Sequence, residues 1–205
     1  MMNSARPRIV GILGGVASGK SFVAKCLEEL GAGRLDADKA GHEVLTRPEV
    51  IAKLREHWGD AVVDEAGQIA RPAVAKIVFA RTPEASRELA FLEQITHPLI
   101  GALLQKRIES FAESGVRLLV LDAPVMLKAG WDRFCDTILF IDVPTAERLR
   151  RAQGRGWTEK EFHAREAMQE SVEIKRRAAD FVVDNSGEPE ATKSQITRLW
   201  PLLIG

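Results

Sequence analysis

Five short apolar runs recur along the chain, and the stretches between them carry apolar residues at helical spacing. Four of these runs, Ile9–Leu13, Leu118–Leu121, Ile138–Val143 and Phe181–Val183, are almost uninterrupted, as strands buried on both faces of a parallel sheet are. Arg34-Leu35-Asp36 is a shorter fifth candidate. After the first run, Phe22, Val23, Cys26, Leu27 and Leu30 recur at three- and four-residue steps, which predicts an amphipathic helix. The alternation predicts an α/β domain with a parallel sheet and helices on both faces. From roughly Lys39 to Arg117 there is no convincing strand, only helical patterns at Val50–His57, Pro72–Phe79 and Leu99–Phe111. That stretch is too long for a simple crossover and predicts a helical subdomain. Right-handed crossovers put the C-terminal ends of all parallel strands on one edge. Gly14–Ser21, Asp36–Asp38, Asp122–Lys128 and Asn185–Gly187 are therefore expected to gather there, where open α/β sheets bind ligands.

Composition narrows the picture only modestly. The 205 residues suit one domain with an insertion, and 45% apolar with 28% charged residues is ordinary for a globular protein. Lys plus Arg and Asp plus Glu both number 29, so net charge gives no reason to expect a nucleic-acid or membrane partner. Cys26 and Cys135 are far apart and lack metal-ligand spacing, and Cys26 falls on the apolar face of the first helical pattern. The first eight residues contain no signal-peptide apolar core, and no apolar stretch is long enough to span a bilayer. The expectation is a cytoplasmic protein.

Candidate chemistry changes the picture most. Gly14-Gly15-Val16-Ala17-Ser18-Gly19-Lys20-Ser21 fits the pattern Gly, four residues, Gly-Lys-Ser/Thr, between a candidate strand and a helical pattern. Glycines let backbone N–H groups wrap a polyphosphate, and the helix start points further N–H groups at it. Lys20 is placed to reach the outer phosphates, and the Ser21 hydroxyl to complete the shell of a Mg²⁺ ion. Binding of a nucleoside triphosphate follows. Asp36-Ala37-Asp38, with His42 one helical turn on, offers either a base for an acceptor hydroxyl or a helix cap. Leu118-Leu119-Val120-Leu121-Asp122 is an apolar strand ending in an acid suited to the metal side of such a site. Pro124 stiffens the turn beyond it, and Val125-Met126-Leu127 supplies an apolar wall, either core or pocket. His97 before Pro98 reads as a helix cap, with ligand contact as the other reading. Asn185-Ser186-Gly187 reads as a turn, or else as a loop touching adenine. Glu147–Arg177 is rich in arginine, read as a lid for one or two of them and a solvated face for the others.

Together these residues resemble the dephospho-coenzyme A kinase family. The likeness runs through Gly14–Ser21, Asp36-Ala37-Asp38 with His42, Arg71 ahead of Val78-Phe79, and Leu92–Ile100 around His97-Pro98. It continues through Asp122-Ala123-Pro124, Arg151 and Arg155, Gln169, Lys175, and Ala179-Asp180 leading to Asp184-Asn185-Ser186-Gly187. The resemblance implies ATP with Mg²⁺ as donor and the ribose 3′-hydroxyl of dephospho-coenzyme A as acceptor. It implies a P-loop kinase fold: a five-stranded parallel sheet flanked by helices, with a helical acceptor-binding insertion and a lid. The expected division is 1–38, 117–146 and 179–205 as nucleotide core, 39–116 as acceptor-binding region and 147–178 as lid. By position Asp38 matches the family's catalytic base, and Arg151 and Arg155 its lid arginines. Asn185 and Gly187 match an adenine loop, while Asp36, His42, Arg71, His97 and Pro124 fall on the acceptor side. No nucleic acid or membrane is implied, and the expected state is a monomer or small homo-oligomer. The chain departs from the pattern at Ala17, where the family usually has Gly, and at Val125-Met126-Leu127-Lys128, where it usually has Leu-Leu-Phe-Glu. The lid is also one residue shorter just before Arg148. The alternatives are a kinase of the same fold acting on another small-molecule or nucleoside hydroxyl, and a nucleotide-binding regulatory protein with weak chemistry.

Overall fold

The computed structural model describes residues 6–80 and 82–205. It divides into two units: the chain through Asp36 together with Arg107–Gly205, and Ala37–Lys106.

In the first unit, β1 (Arg8–Gly14), β2 (Gly33–Asp36), β3 (Leu118–Asp122), β4 (Thr137–Asp142) and β5 (Phe181–Asp184) form one sheet in the order β2-β3-β1-β4-β5. Every pairing is parallel. The apolar runs in the sequence fall on these strands to within a residue or two. β1 is central and buried on both faces. Val10 and Ile12 join Leu118, Val120, Leu139, Ile141 and Val183 in a core layer against α1 (Lys20–Glu29) and α9 (Pro189–Ile204). On the other face β1 leaves room at Gly11, where a Cβ would press within 2.8 Å of Met126 and Cys135 side-chain atoms. Met126 is therefore core, which settles the first half of the apolar wall after Asp122. Burial among apolar neighbours, chiefly desolvation, pushes the Cys135 thiol up to about 12, so it stays protonated and inert at neutral pH.

α1 ends in a glycine-capped turn: Gly31, at φ 105°, donates to the Glu28 carbonyl and Ala32 donates to Leu27, which turns the chain into β2. At the other edge, the Asp180 carboxylate accepts the Ile138 N–H at 2.8 Å, and the Asp180 N–H donates to the Ile138 carbonyl. The Ala-Asp pair of the sequence is thus a register clamp between β4 and β5. Asp136 does the same for β1 by accepting the Ile9 N–H.

The unit is completed by α6 (Thr145–Gln153), α7 (Glu159–Glu166) and α8 (Val172–Arg177). α7 starts with a reciprocal capping box between Thr158 and Glu161, and α8 starts at Ser171, whose hydroxyl accepts the Ile174 N–H. These three helices occupy the arginine-rich segment. Val16, Ala152 and Phe162 form a buried cluster there, with Ala17, Leu149 and Trp157 packed against it.

The second unit holds α2 (Ala37–Val44), α3 (Pro48–Trp58), α4 (Arg71–Val78) and most of α5 (Ala85–Glu113), a 29-residue helix that continues into the first unit. Its core includes Ala40, Val44, Val50, Leu54, Val62, Ile69, Val74, Ile100 and Leu104. The stretch read as strand-free contains one isolated bridge, Val63 to Ile69, around a turn in which Asp64 accepts the Ala66 and Gln68 N–H groups. Pro98 corrects one expectation. It lies inside α5 rather than at its first turn, so His97 does not cap a helix start. A proline there leaves the Gln94 carbonyl without its helical donor, and Ile100 and Leu104, two and six residues on, are buried.

Candidate active site

Gly14–Ser21 leaves the C-terminal end of the central strand and enters α1, the strand–loop–helix arrangement a phosphate cradle needs. The parallel register places the ends of β2 and β3, Asp36 and Asp122, side by side on that same edge. Lys20 Nζ donates to the Gly14 and Gly15 carbonyls at 3.3 and 3.4 Å, so its ammonium lies back over the loop. Ser21 is exposed in the first turn of α1.

The loop is held from behind by residues distant in sequence. Asn185 is buried, its Nδ2 donates to the Ser18 carbonyl at 2.8 Å, and its Oδ1 accepts the Thr192 hydroxyl at 2.9 Å. Gly19, at φ 90°, needs to be glycine twice over: for its left-handed backbone, and because a Cβ would collide with the Asn185 amide. The amide of Asn185 is thus spent on bracing the loop, whereas Gly187 two residues on is exposed. Arg148 braces the apex. It is 3% exposed and donates to the carbonyls of Val143 and Val16, to the Thr145 hydroxyl and to the Glu166 carboxylate. Gly15 is glycine because a Cβ would meet this guanidinium at 2.5 Å. Sequence reasoning counted Arg148 with the other arginines and gave Glu166 no role.

Ala17 has φ 60°, the left-handed region, and is the only such non-glycine residue among the described residues. That conformation costs an L-residue about 1–2 kcal/mol. Ala17→Gly is expected to raise stability by about 1 kcal/mol or slightly less, since glycine removes the strain but adds chain entropy. Thermal unfolding checks this, and a lower melting temperature in the variant would show that the methyl's packing beside Trp157 and Leu149 outweighs the strain.

The arginines between Glu147 and Arg177 divide sharply. Arg151 donates to Glu147 and, through Nη2, to the Asn185 carbonyl at 2.8 Å. Arg150 and Arg151 together hold the Glu147 carboxyl down at about 2 by hydrogen bonds, so it is ionised at any working pH. Arg165 lies over the Trp157 ring at 4.2 Å and Arg176 donates to Asp142. Arg155 is exposed, and its guanidinium meets no partner among the described residues.

Asp122 is half-buried, and its Oδ2 accepts Arg34 Nη2 at 2.6 Å. Sequence reasoning missed that pair. Among the described residues no three His, Cys, Asp or Glu side chains cluster as a metal cage. Mg²⁺ does not ask for one: it favours one or two protein oxygens and completes its octahedron with water and phosphate. The Ser21 hydroxyl and the remaining oxygen of Asp122 are donors of that kind, so the residues present fit the ion. Pro124 is half-buried in the turn after β3.

Within the second unit, Asp38 and His42 lie one turn apart on α2, both exposed, with Asp38 in the first turn, where a carboxylate is favoured by the helix dipole. Asp36, the last residue of β2, stands just before that helix. Arg71 is the first residue of α4 and exposed, whereas His97 is half-buried within α5.

The strand order, with a Gly-x4-Gly-Lys-Ser loop after the central strand and helices over it, defines a P-loop kinase fold. The sequence profile of the family CoaE, dephospho-CoA kinase, matches residues 8–190. The dephospho-CoA kinase of Carboxydothermus hydrogenoformans is 37% identical over 92% of this chain and 90% of its own. The chain belongs to the dephospho-CoA kinase family. Among solved structures, TT1252 from Thermus thermophilus superposes with a TM-score of 0.80 at 31% identity, covering 98% of this chain and 100% of that one. Dephospho-CoA kinase from Campylobacter jejuni shares the fold with a TM-score of 0.65 at 20% identity, covering 97% and 98%.

Proposed function

We propose that this protein transfers the γ-phosphoryl group of ATP to the ribose 3′-hydroxyl of dephospho-coenzyme A, giving coenzyme A and ADP. The observation that carries the reading is an intact phosphate loop, with Lys20 and Ser21 at its helix start, in a chain whose family match spans residues 8–190. In this reading Lys20 and the loop N–H groups hold the β- and γ-phosphates and balance their charge. Ser21 and Asp122, the latter with one oxygen committed to Arg34, would hold the metal. A Mg²⁺ ion held there would supply positive charge against the charge that develops on the phosphates. Asp38 accepts the proton of the 3′-hydroxyl as that oxygen attacks phosphorus in line with the leaving ADP oxygen. Arg155 meets the charge spread over the transferring group, and Arg151 keeps the Asn185 loop in place. Gly187 and its neighbours border the adenine, while Asp36, His42, Arg71, His97 and Pro124 serve the acceptor.

Proton, phosphoryl group and charge all balance with no further reactant. The reaction is assigned to the cytoplasm. What supports that placement is the family, together with the absence, among the described residues, of a helix long and apolar enough to cross a membrane. ADP release by the purified protein is expected to require dephospho-coenzyme A and to give coenzyme A in equal amount. Release no greater than in the acceptor-free control would end the proposal.

A further inference from the structure

A second lysine stands at the phosphate loop with no role in the reaction as derived so far. Lys175 is only 2% exposed, an unusual state for an ammonium. On α8 it lines a cavity of about 410 Å³ whose wall also includes Gly15 and Val16 of the loop, Arg148, Gln169 and the carboxylates of Glu166, Glu170 and Glu173. Its one hydrogen bond to a described residue goes to a neutral acceptor, Gln169 Oε1, at 2.6 Å. The ionised groups that face it come from every element around it: Lys20 at the start of α1, Arg148 on α6, Glu166 on α7, and Glu170 before α8. Glu166 is already bound to Arg148. Burial, then the like charge of Lys20, bring its pKa down to about 8. A buried ammonium that no carboxylate hydrogen-bonds among the described residues, sharing a cavity with Gly15 and Val16 of the phosphate loop and feeling the like charge of Lys20, is an arrangement that an anion bound on the loop completes.

We propose that Lys175 is a second phosphate-binding cation of the nucleotide site, holding the polyphosphate of ATP from α8 and binding it in the ammonium form. The inference rests on the nucleotide site of the proposed function but not on the identity of the acceptor. A bare structural role, the lysine stem filling space beneath α8, would not need the ammonium to end on the loop's cavity.

The sign of the pH effect follows. Phosphates beside Lys175 favour its charged form, so its pKa is higher in the ATP complex than in the free protein. Below about pH 8 the group is charged in both states and contributes its full affinity. As pH rises through 8 the free protein loses the proton, binding must take one up, and affinity falls. The second ionisation of a phosphate group is centred near pH 6, about two units below this window.

The test is Mg·ATP binding by titration calorimetry from pH 7 to 9.5, in buffers of differing ionisation enthalpy, on the full chain without acceptor. Wild type is expected to take up a fraction of a proton near pH 8.5 and to lose about tenfold in affinity across the range. Lys175→Met is expected to bind about 10–100-fold more weakly at pH 7, as loss of a charge-assisted hydrogen bond would give, with no linked proton and a flat profile. Lys175→Arg is expected to recover most of the affinity at pH 7 while remaining flat, because its guanidinium does not titrate. Wild-type affinity in Lys175→Met, or weak binding that keeps the wild-type proton uptake, overturns the proposal. Failure of the acceptor reading is separable: proton-linked ATP binding without transfer to dephospho-coenzyme A removes that reading and leaves Lys175 in its role.

Discussion

Asp38→Asn is expected to retain wild-type affinity for Mg·ATP and to lose about 10²–10⁴ in turnover, the usual contribution of a general base. The substitution keeps size and shape in an exposed first-turn position of α2, so folding should change little. What it removes is the acceptor for the hydroxyl proton. An amide cannot take that proton, and the attacking oxygen would then carry it into the transition state. Single-turnover phosphoryl transfer alongside ATP titration separates the two effects. Near-normal transfer would move the base role to Asp36, two residues earlier at the end of β2.

Arg155→Ala is expected to cost about 10³–10⁵ in turnover, the range for an arginine that meets charge on a transferring phosphoryl group. Stability should shift by no more than about 0.5 kcal/mol, because the side chain is exposed and spends no hydrogen bond on a described residue. Arg151 is the internal contrast. It donates to Glu147 and to the Asn185 carbonyl, so its loss should weaken the hold on the loop and show in nucleotide affinity and melting temperature together. Equal effects of the two substitutions on stability, or turnover in Arg155→Ala within tenfold of wild type, would count against Arg155 as the lid cation. Steady-state kinetics with thermal unfolding of both variants decides it.

The strands and the phosphate loop were legible because their evidence is local. An apolar run needs only its own residues, and the loop's glycines lie side by side. The bracing of the loop was not legible, because each brace joins residues far apart. Arg148 and Val16 are 132 positions apart, Asn185 and Ser18 are 167, and neither partner alone says where the other falls. Arginine-rich helices hide their exceptions in the same way. Arg148 is 3% exposed and Arg150 is 74% exposed, yet both look alike in sequence. The one local hint is that Arg148 and Ala152 lie one turn apart on the buried face of α6. Pro98 was misread for the opposite reason. Its local preference for a helix start is real, but the packing of α5 overrode it. Lys175 was visible as a likeness to the family, but its burial beside the loop was not.

The Asn185 amide that supports the Ser18 carbonyl also bears on the order in which the molecule is made. The loop is translated well before its brace, since Ser18 precedes Asn185 by 167 positions, and Thr192 behind the brace comes later still. A growing polypeptide can therefore pair β1 with β3 and β4 on the ribosome while Gly19 still lacks the side chain that fills the space beside it. The backing of the loop is therefore in place only once Asn185 and Thr192 have been made.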